Sequence, residues 1–172
     1  MTTRFLFISL IFMLISFEGV SQKNVVSKSE EKITEFKETD SKISDLFESA
    51  YGFAMFPNIG KGGIGIGGAT GNGTVYKGGN AVGDCRMIQV SVGFQFGGQK
   101  YAEVIFFEDE DAYDRFIDGK YEFAAQASAV ALKSGASADA KYRDGVIVFT
   151  HADGGLMYEA SIGGQKFKIK MY

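Results

Sequence analysis

Lys166, Lys168 and Lys170 alternate with Phe167, Ile169 and Met171, and no acidic residue occurs from Ala160 to Tyr172. A strand with that alternation carries a row of ammonium groups on one face and apolar side chains on the other. Such a row can hold anions, phosphate headgroups among them. Lysines on an edge strand also block unwanted strand pairing, and the pattern fits that reading equally. Lys61 joins the candidate anion-binding set if the glycine-rich segment around it folds nearby. Tyr51–Phe107 adds Lys77, Arg86 and Lys100 against Asp84 and Glu103, so this region is locally basic.

Other patterns lead to less chemistry. Gly60–Gly65 and Gly63–Gly68 both satisfy GxGxxG, but that fingerprint binds a dinucleotide only where a helix follows, and here Gly71-Asn72-Gly73 and an extended segment follow. No GxxxxGK precedes Lys61 or Lys120, so there is no P-loop and no nucleotide partner is expected. His151 and Asp153 lie close in sequence without a nucleophile at a triad spacing, and the turn-like Ala152–Gly155 suits a solvent-exposed histidine. The acidic run Glu108–Asp111 lacks the alternating ligands and central glycine of a calcium loop and reads as a helix N-terminus. Cys85 and His151 are the sole cysteine and histidine, too few for a structural zinc site, and Cys85 has no disulfide partner. Cys85 reads as a small buried side chain. No catalytic residue, metal ligand or cofactor is assigned, and the expectation is a non-enzymatic protein.

The 172 residues carry 18 basic and 21 acidic side chains, a net −3 that disfavours nucleic acid as a partner. Charge and hydrophobic content are those of a globular chain. Residues 1–21 read as a secretory signal peptide: Arg4, an apolar run from Phe5 to Phe17, then Gly19 and Ser21 before Gln22. An uncleaved anchor is the alternative, although the run is short for a membrane span. The expected location is periplasmic or extracellular. Residues 22–172 then form one domain.

That domain has two textures. Within residues 22–50, Ile33, Phe36, Ile43, Leu46, Phe47 and Ala50 form one stripe of an amphipathic helix, with a kink possible at Asp40. The stripe either packs on the domain or lies on a bilayer; the net negative charge of the segment disfavours anionic lipid. All glycines except Gly19 fall in residues 51–172. There, Ile88, Val90, Val92, Phe94 and Phe96 alternate with Gln89, Ser91, Gly93 and Gln95, which predicts a strand with one apolar face and one small or polar face. Lys100–Phe107 is its expected hairpin partner across Gly97–Gly98. Further expected strands are Gly145–Thr150, Tyr121–Leu132, a hairpin of Gly63–Gly68 and Thr74–Lys77 around Gly71–Gly73, and a terminal hairpin of Gly155–Ile162 and Gln165–Met171. One short helix is expected after Glu108–Asp111, ending at Gly119. Gly63, Gly65 and Gly67 leave one strand face bare, which implies sharp coiling. The fold class is therefore α+β: a glycine-rich antiparallel sheet forming a small or partly closed barrel, with an N-terminal amphipathic helix and a short helix between strands.

Several segments, in this order, resemble the SYLF lipid-binding domain family. They are Tyr51–Pro57 (YGFAMFP), Gly60–Gly68 (GKGGIGIGG), Gly71–Tyr76 (GNGTVY), Gln89–Gln99 (QVSVGFQFGGQ), Phe106-Phe107, Ala124–Val130 (AAQASAV) and Gly155–Gly164 (GLMYEASIGG). The resemblance implies binding of anionic phospholipid at a membrane surface, and in eukaryotic members also work with actin. Export would make actin an unlikely partner, and the acidic N-terminal helix departs from the basic membrane segment of those members. The resulting expectation is an exported lipid-binding module using Lys61, Lys166, Lys168 and Lys170, with Ile33, Phe36, Ile43, Leu46 and Phe47 as a possible membrane-contacting face. The alternative is a structural or protein-interaction module of the cell envelope with no lipid ligand.

Overall fold

The computed structural model describes residues 23–64, 66–92, 99–123, 128–131, 133, 135, 137, 140–152 and 160–172. The expected signal peptide, the Gly97–Gly98 turn, Asp153 and most of Gly155–Ile162 lie outside these residues.

The N-terminal stripe folds as two helices, α1 over residues 23–39 and α2 over Ser41–Ser49. Asp40 separates them. Its extended backbone (φ −149°, ψ 117°) ends one helix, and its side chain caps the next by accepting from the Lys42 amide at 3.0 Å. The same carboxylate accepts from Ser137 N at 3.1 Å and Ser137 Oγ at 2.8 Å, which ties the helix junction to a distant loop. Burial opposes ionisation of Asp40, yet the hydrogen bonds from Ser137, Lys42 and Gly135 hold it below the ordinary aspartate value.

Eight strands follow: β1 Gly52–Ile64, β2 Ile66–Lys77, β3 Asn80–Val92, β4 Gln99–Phe107, β5 Ser128–Ala131, β6 Val146–Ala152, β7 Ala160–Ser161 and β8 Gln165–Met171. Their order is β7-β5-β6-β4-β1-β2-β3-β8. The sheet is mixed, because β5 runs parallel to β6 while the other pairings are antiparallel. Helix α3, Glu110–Ile117, stands between β4 and β5. Asp109 caps it by accepting from Ala112 N at 2.9 Å, Glu110 and Asp111 occupy its positive end, and Gly119 at φ +66° follows it, as expected.

Several pairings differ from expectation. Lys100–Phe107 pairs with β1 and β6, not with β3. Gly71–Gly73 lies inside the long β2 and makes no turn. Among the described residues the terminal hairpin is not paired: β7 pairs with β5, and β8 pairs with β3. Of Tyr121–Leu132, Ser128–Ala131 is strand and residues 121–123 are not. Local alternation identifies strands but carries no information on which distant strand supplies the ladder.

The sheet curls strongly without closing into a barrel: among the described residues no ladder joins β7 to β8. The rings of Phe56 on β1 and Phe167 on β8 are 5.9 Å apart, although β2 and β3 lie between those strands. Interior glycines permit this curl. A Cβ at Gly73 would stand 2.7 Å from the Phe56 ring and 3.1 Å from Cys85 Sγ. The interior face packs with α3 into one core that includes Phe56, Ile59, Met87, Ile105, Phe107, Phe116 and Phe167. A second core lies on the opposite face, where Phe36, Ile43 and Phe47 pack against Phe53, Met55, Val104, Phe106 and Phe149.

Candidate functional site: the open half of the outer sheet face

Helices α1 and α2 cover only part of the outer face. The remainder is built from β8, β3 and the glycine-rich parts of β1 and β2. Register defines its rows, since residues directly opposite share a face. One row runs Lys168, Arg86, Asn72, Asn58; the next runs Lys166, Ile88, Thr70, Gly60, Lys100; a third runs Val90, Gly68, Gly62. The row through Lys170 and Asp84 continues to Thr74 and Met55, and so passes beneath the helices.

Lys166, Lys168 and Lys170 are thus exposed on one face of β8, as their alternation predicts. Lys61 is not with them. It pairs with Ala69 and Gln99 on the interior-facing side of β1, because a bulge at Met55–Asn58 sets the facing of the residues after it. Arg86 and Lys100 take its place on the outer face. Two acids temper this face. Glu122 approaches Lys166 at 3.7 Å between exposed side chains, a weak pair, and Asp84 stands opposite Lys170 while accepting from the Tyr172 hydroxyl at 2.9 Å. Arg86 and Lys168 face each other directly and have no carboxylate partner among the described residues. Like charges so placed are mutually unfavourable, and an anion between them relieves the repulsion.

The structure decides the facing of β3, which the alternation leaves open. Cys85, Met87 and Gln89 point inward and are buried, whereas Ile88 and Val90 point outward with 39% and 69% exposure. Gln89 is held inside by donating to Gly163 O at 3.0 Å. The consequence is an apolar pair on the open face beside the cations. Alternation reports two faces but not which one is covered; a strand bordered by covering elements on its polar side is inverted relative to the usual rule.

The expected helix face sits in the second core. Phe36 and Ile43 are fully buried, Phe47 nearly so, and Ile33 and Leu46 pack partly buried beside them. As folded, this face contacts the sheet, the docked alternative of the sequence reading. Three polar contacts hold the helices down: Ser29 Oγ to Thr74 Oγ1 at 3.3 Å, Asp40 to Ser137, and Glu35 Oε1 to His151 Nδ1 at 2.8 Å. His151 is therefore half-buried against α1 and not the solvent-exposed histidine of the sequence reading; its pair with Glu35 is ionic when the imidazole is protonated.

The remaining chemistry is structural. Cys85 is buried, and burial pushes its thiol well up, away from a reactive thiolate. An acidic groove beside α3 contains Asp109, Asp114, Asp118 and Asp144, but Arg115 grips Asp144 at 3.1 Å and Lys120 pairs with Asp118 at 2.6 Å. Among the described residues no group of His, Cys, Asp and Glu side chains is arranged to hold a metal ion. No described helix is long and apolar enough to cross a membrane.

Residues 88–170 match the family described as Ysc84: Las17-binding protein actin regulator. The match takes in Ile88, Val90, Lys100 and the β8 lysines, and begins after Arg86. The chain is also 31% identical over 134 residues to "Beta cell expansion factor A" of Aeromonas veronii, an alignment that covers 72% of this chain and 48% of that protein. The chain thus spans about half the length of the curated relative it matches. The family match and the similarity to this relative agree, and through residues 88–170 the chain belongs to the Ysc84 (SYLF) family.

Proposed function

We propose that this chain is a non-enzymatic module that binds anionic amphiphiles, phospholipids at a membrane surface above all, on the open half of its outer sheet face. The observation that carries the reading is the juxtaposition of the unpaired cations Arg86 and Lys168 with the outward Ile88 and Val90. A phosphorylated headgroup neutralises the opposed cations, and its apolar part covers Ile88 and Val90. Lys100, Lys166 and Lys170 add longer-range attraction. Each cation near an anionic surface contributes about 1 kcal/mol at physiological salt, so binding is modest and salt-sensitive. The helix stripe takes no part while docked. The leader-like residues 1–21 extend the proposal to an exported protein in the periplasm or outside the cell, away from cytosolic actin.

Flotation with anionic and zwitterionic vesicles tests this. The chain is expected to float with the anionic vesicles only, less so at high salt, and the Arg86→Glu, Lys168→Glu double variant is expected to stay at the bottom. Equal flotation with both lipids, or an unaffected double variant, overturns the proposal. The competing reading is an envelope interaction module without lipid. Its support is that β8, which among the described residues pairs with β3 alone, is an edge strand, where lysines deter aggregation. On that reading the double variant aggregates more readily and vesicles make no difference.

A further inference from the structure

The interior face holds polar side chains that hydrophobic packing does not explain. Glu103 on β4 and Gln165 on β8 are fully buried, with Gln89 and Thr150 almost so. Glu103 stands directly opposite Thr150, and Gln165 directly opposite Gln89. Gln165 Nε2 donates to Glu103 Oε2 at 3.0 Å, joining the two pairs across the first core. Glu103 Oε1, Gln165 Oε1 and Thr150 Oγ1 are left without a hydrogen-bond partner among the described residues. With Glu103 ionised, the first two are acceptors only. Among the described residues no donor reaches these two oxygens, and buried acceptors without donors are strongly unfavourable.

We propose that Glu103 is a protonated carboxylic acid in the folded protein at mildly acidic pH, paired with Gln165 in a two-bond acid–amide ring that ties β4 to the first residue of β8, and that release of this proton as the pH rises through neutrality loosens the tie. A proton on Glu103 Oε1 turns an acceptor into a donor, and Gln165 Oε1 receives it. One proton satisfies both atoms while the observed bond from Nε2 is kept. The surroundings favour the neutral acid. β1 places Phe56 opposite Glu103, β6 offers Thr150, and α3 turns Tyr113 and Phe116 into this core. The titratable groups coupled to the carboxyl are Tyr101 and Cys85, both kept neutral by burial. Lys61 shares the face of β1 but stands opposite Gln99, four residues along β4, and does not act on the carboxyl. Burial, offset in part by the bond from Gln165, moves Glu103 from 4.5 up to about 7. Since Gln165 begins the strand that carries Lys166, Lys168 and Lys170, the protonation state of Glu103 sets how firmly one end of the cationic strand is anchored.

The experiment is a carbon-NMR titration of the glutamate side-chain carboxyls in the full chain, with amide hydrogen exchange of β8 as a second readout. One carboxyl is expected to titrate near pH 7, and to vanish in Glu103→Gln. Exchange at Gln165–Phe167, corrected for intrinsic base catalysis, is expected to rise several-fold across that midpoint in the native chain. It should stay flat in Glu103→Gln, where an amide–amide pair retains both bonds. Should Glu103→Gln fail to fold, the midpoint assigned in the native chain decides alone. All glutamates titrating in the ordinary range, or exchange unchanged across a high midpoint, overturns the proposal. A midpoint that moves with added sodium or calcium chloride also overturns it, since a bound cation would then complete the cluster. None of these outcomes depends on lipid binding.

Discussion

Replacing Phe36 by alanine separates a docked helix from a membrane-inserting one. The Phe36 ring is fully buried in the second core, meets the His151 ring edge-on at 6.1 Å, and lies on a helix held by the Ser29–Thr74 and Glu35–His151 contacts. Truncating a fully buried phenylalanine costs about 3–5 kcal/mol, comprising lost transfer energy and the cavity left behind. The cavity floor here is a hydrogen-bonded sheet that cannot collapse, while α1 can settle inward, so about 3–4 kcal/mol is expected. With a urea m-value of about 1–3 kcal/mol/M, the unfolding midpoint falls by roughly 1–4 M. Vesicle flotation at low temperature, where the variant stays folded, should be unchanged. A stability loss below about 1 kcal/mol together with lost flotation would refute the reasoning, because Phe36 would then be acting in lipid and not in the core.

Four further outcomes follow from the same geometry. Because Glu103 is raised from 4.5 to about 7, the stability it supports is complete below about pH 4.5 and is lost as the pH rises to about 7. The loss amounts to about 3 kcal/mol, and urea midpoints against pH should show it in the native chain and not in Glu103→Gln. Asp40 carries the opposite sign: its lowered value contributes stability above the ordinary aspartate value that disappears as pH falls through its folded value. Asp40→Ala should therefore lose about 1–2 kcal/mol near neutrality, and less in acid, by the same assay. Gly73→Ala, whose new methyl would press on the Met55 carbonyl and the Phe56 ring, should destabilise by about 1–3 kcal/mol. Gly60→Ala, which meets nothing within 4 Å, should be neutral or slightly stabilising in thermal unfolding.

Local patterns were legible where local physics decides them. The helical stripe from Ile33 to Ala50, the cap of α3 at Asp109, the exposure of the β8 lysines and the burial of Cys85 all follow from side-chain period and short-range hydrogen bonding. So did the family resemblance, carried by short segments in order. The curl of the sheet was legible in the density of glycine, although closure was not. Glu103 left one faint signal, a single acid among apolar residues in Lys100–Phe107. Nothing local marks whether such an acid points into a core or out of it.

Tertiary structure alone decided partnership and facing. The bulge at Met55–Asn58 sends Lys61 inward and leaves the outer row to Arg86 and Lys100. The pairing of β8 with β3 puts Lys168 against Arg86, and inverts the use of Ile88 and Gln89. The contact between Glu103 and Gln165 exists because a curled sheet brings β4 and β8 together through its interior. A period of two tells which residues share a face, a property of one strand. Which face is covered, and by what, is settled by contacts between residues far apart in the chain, and those depend on where every other strand has gone.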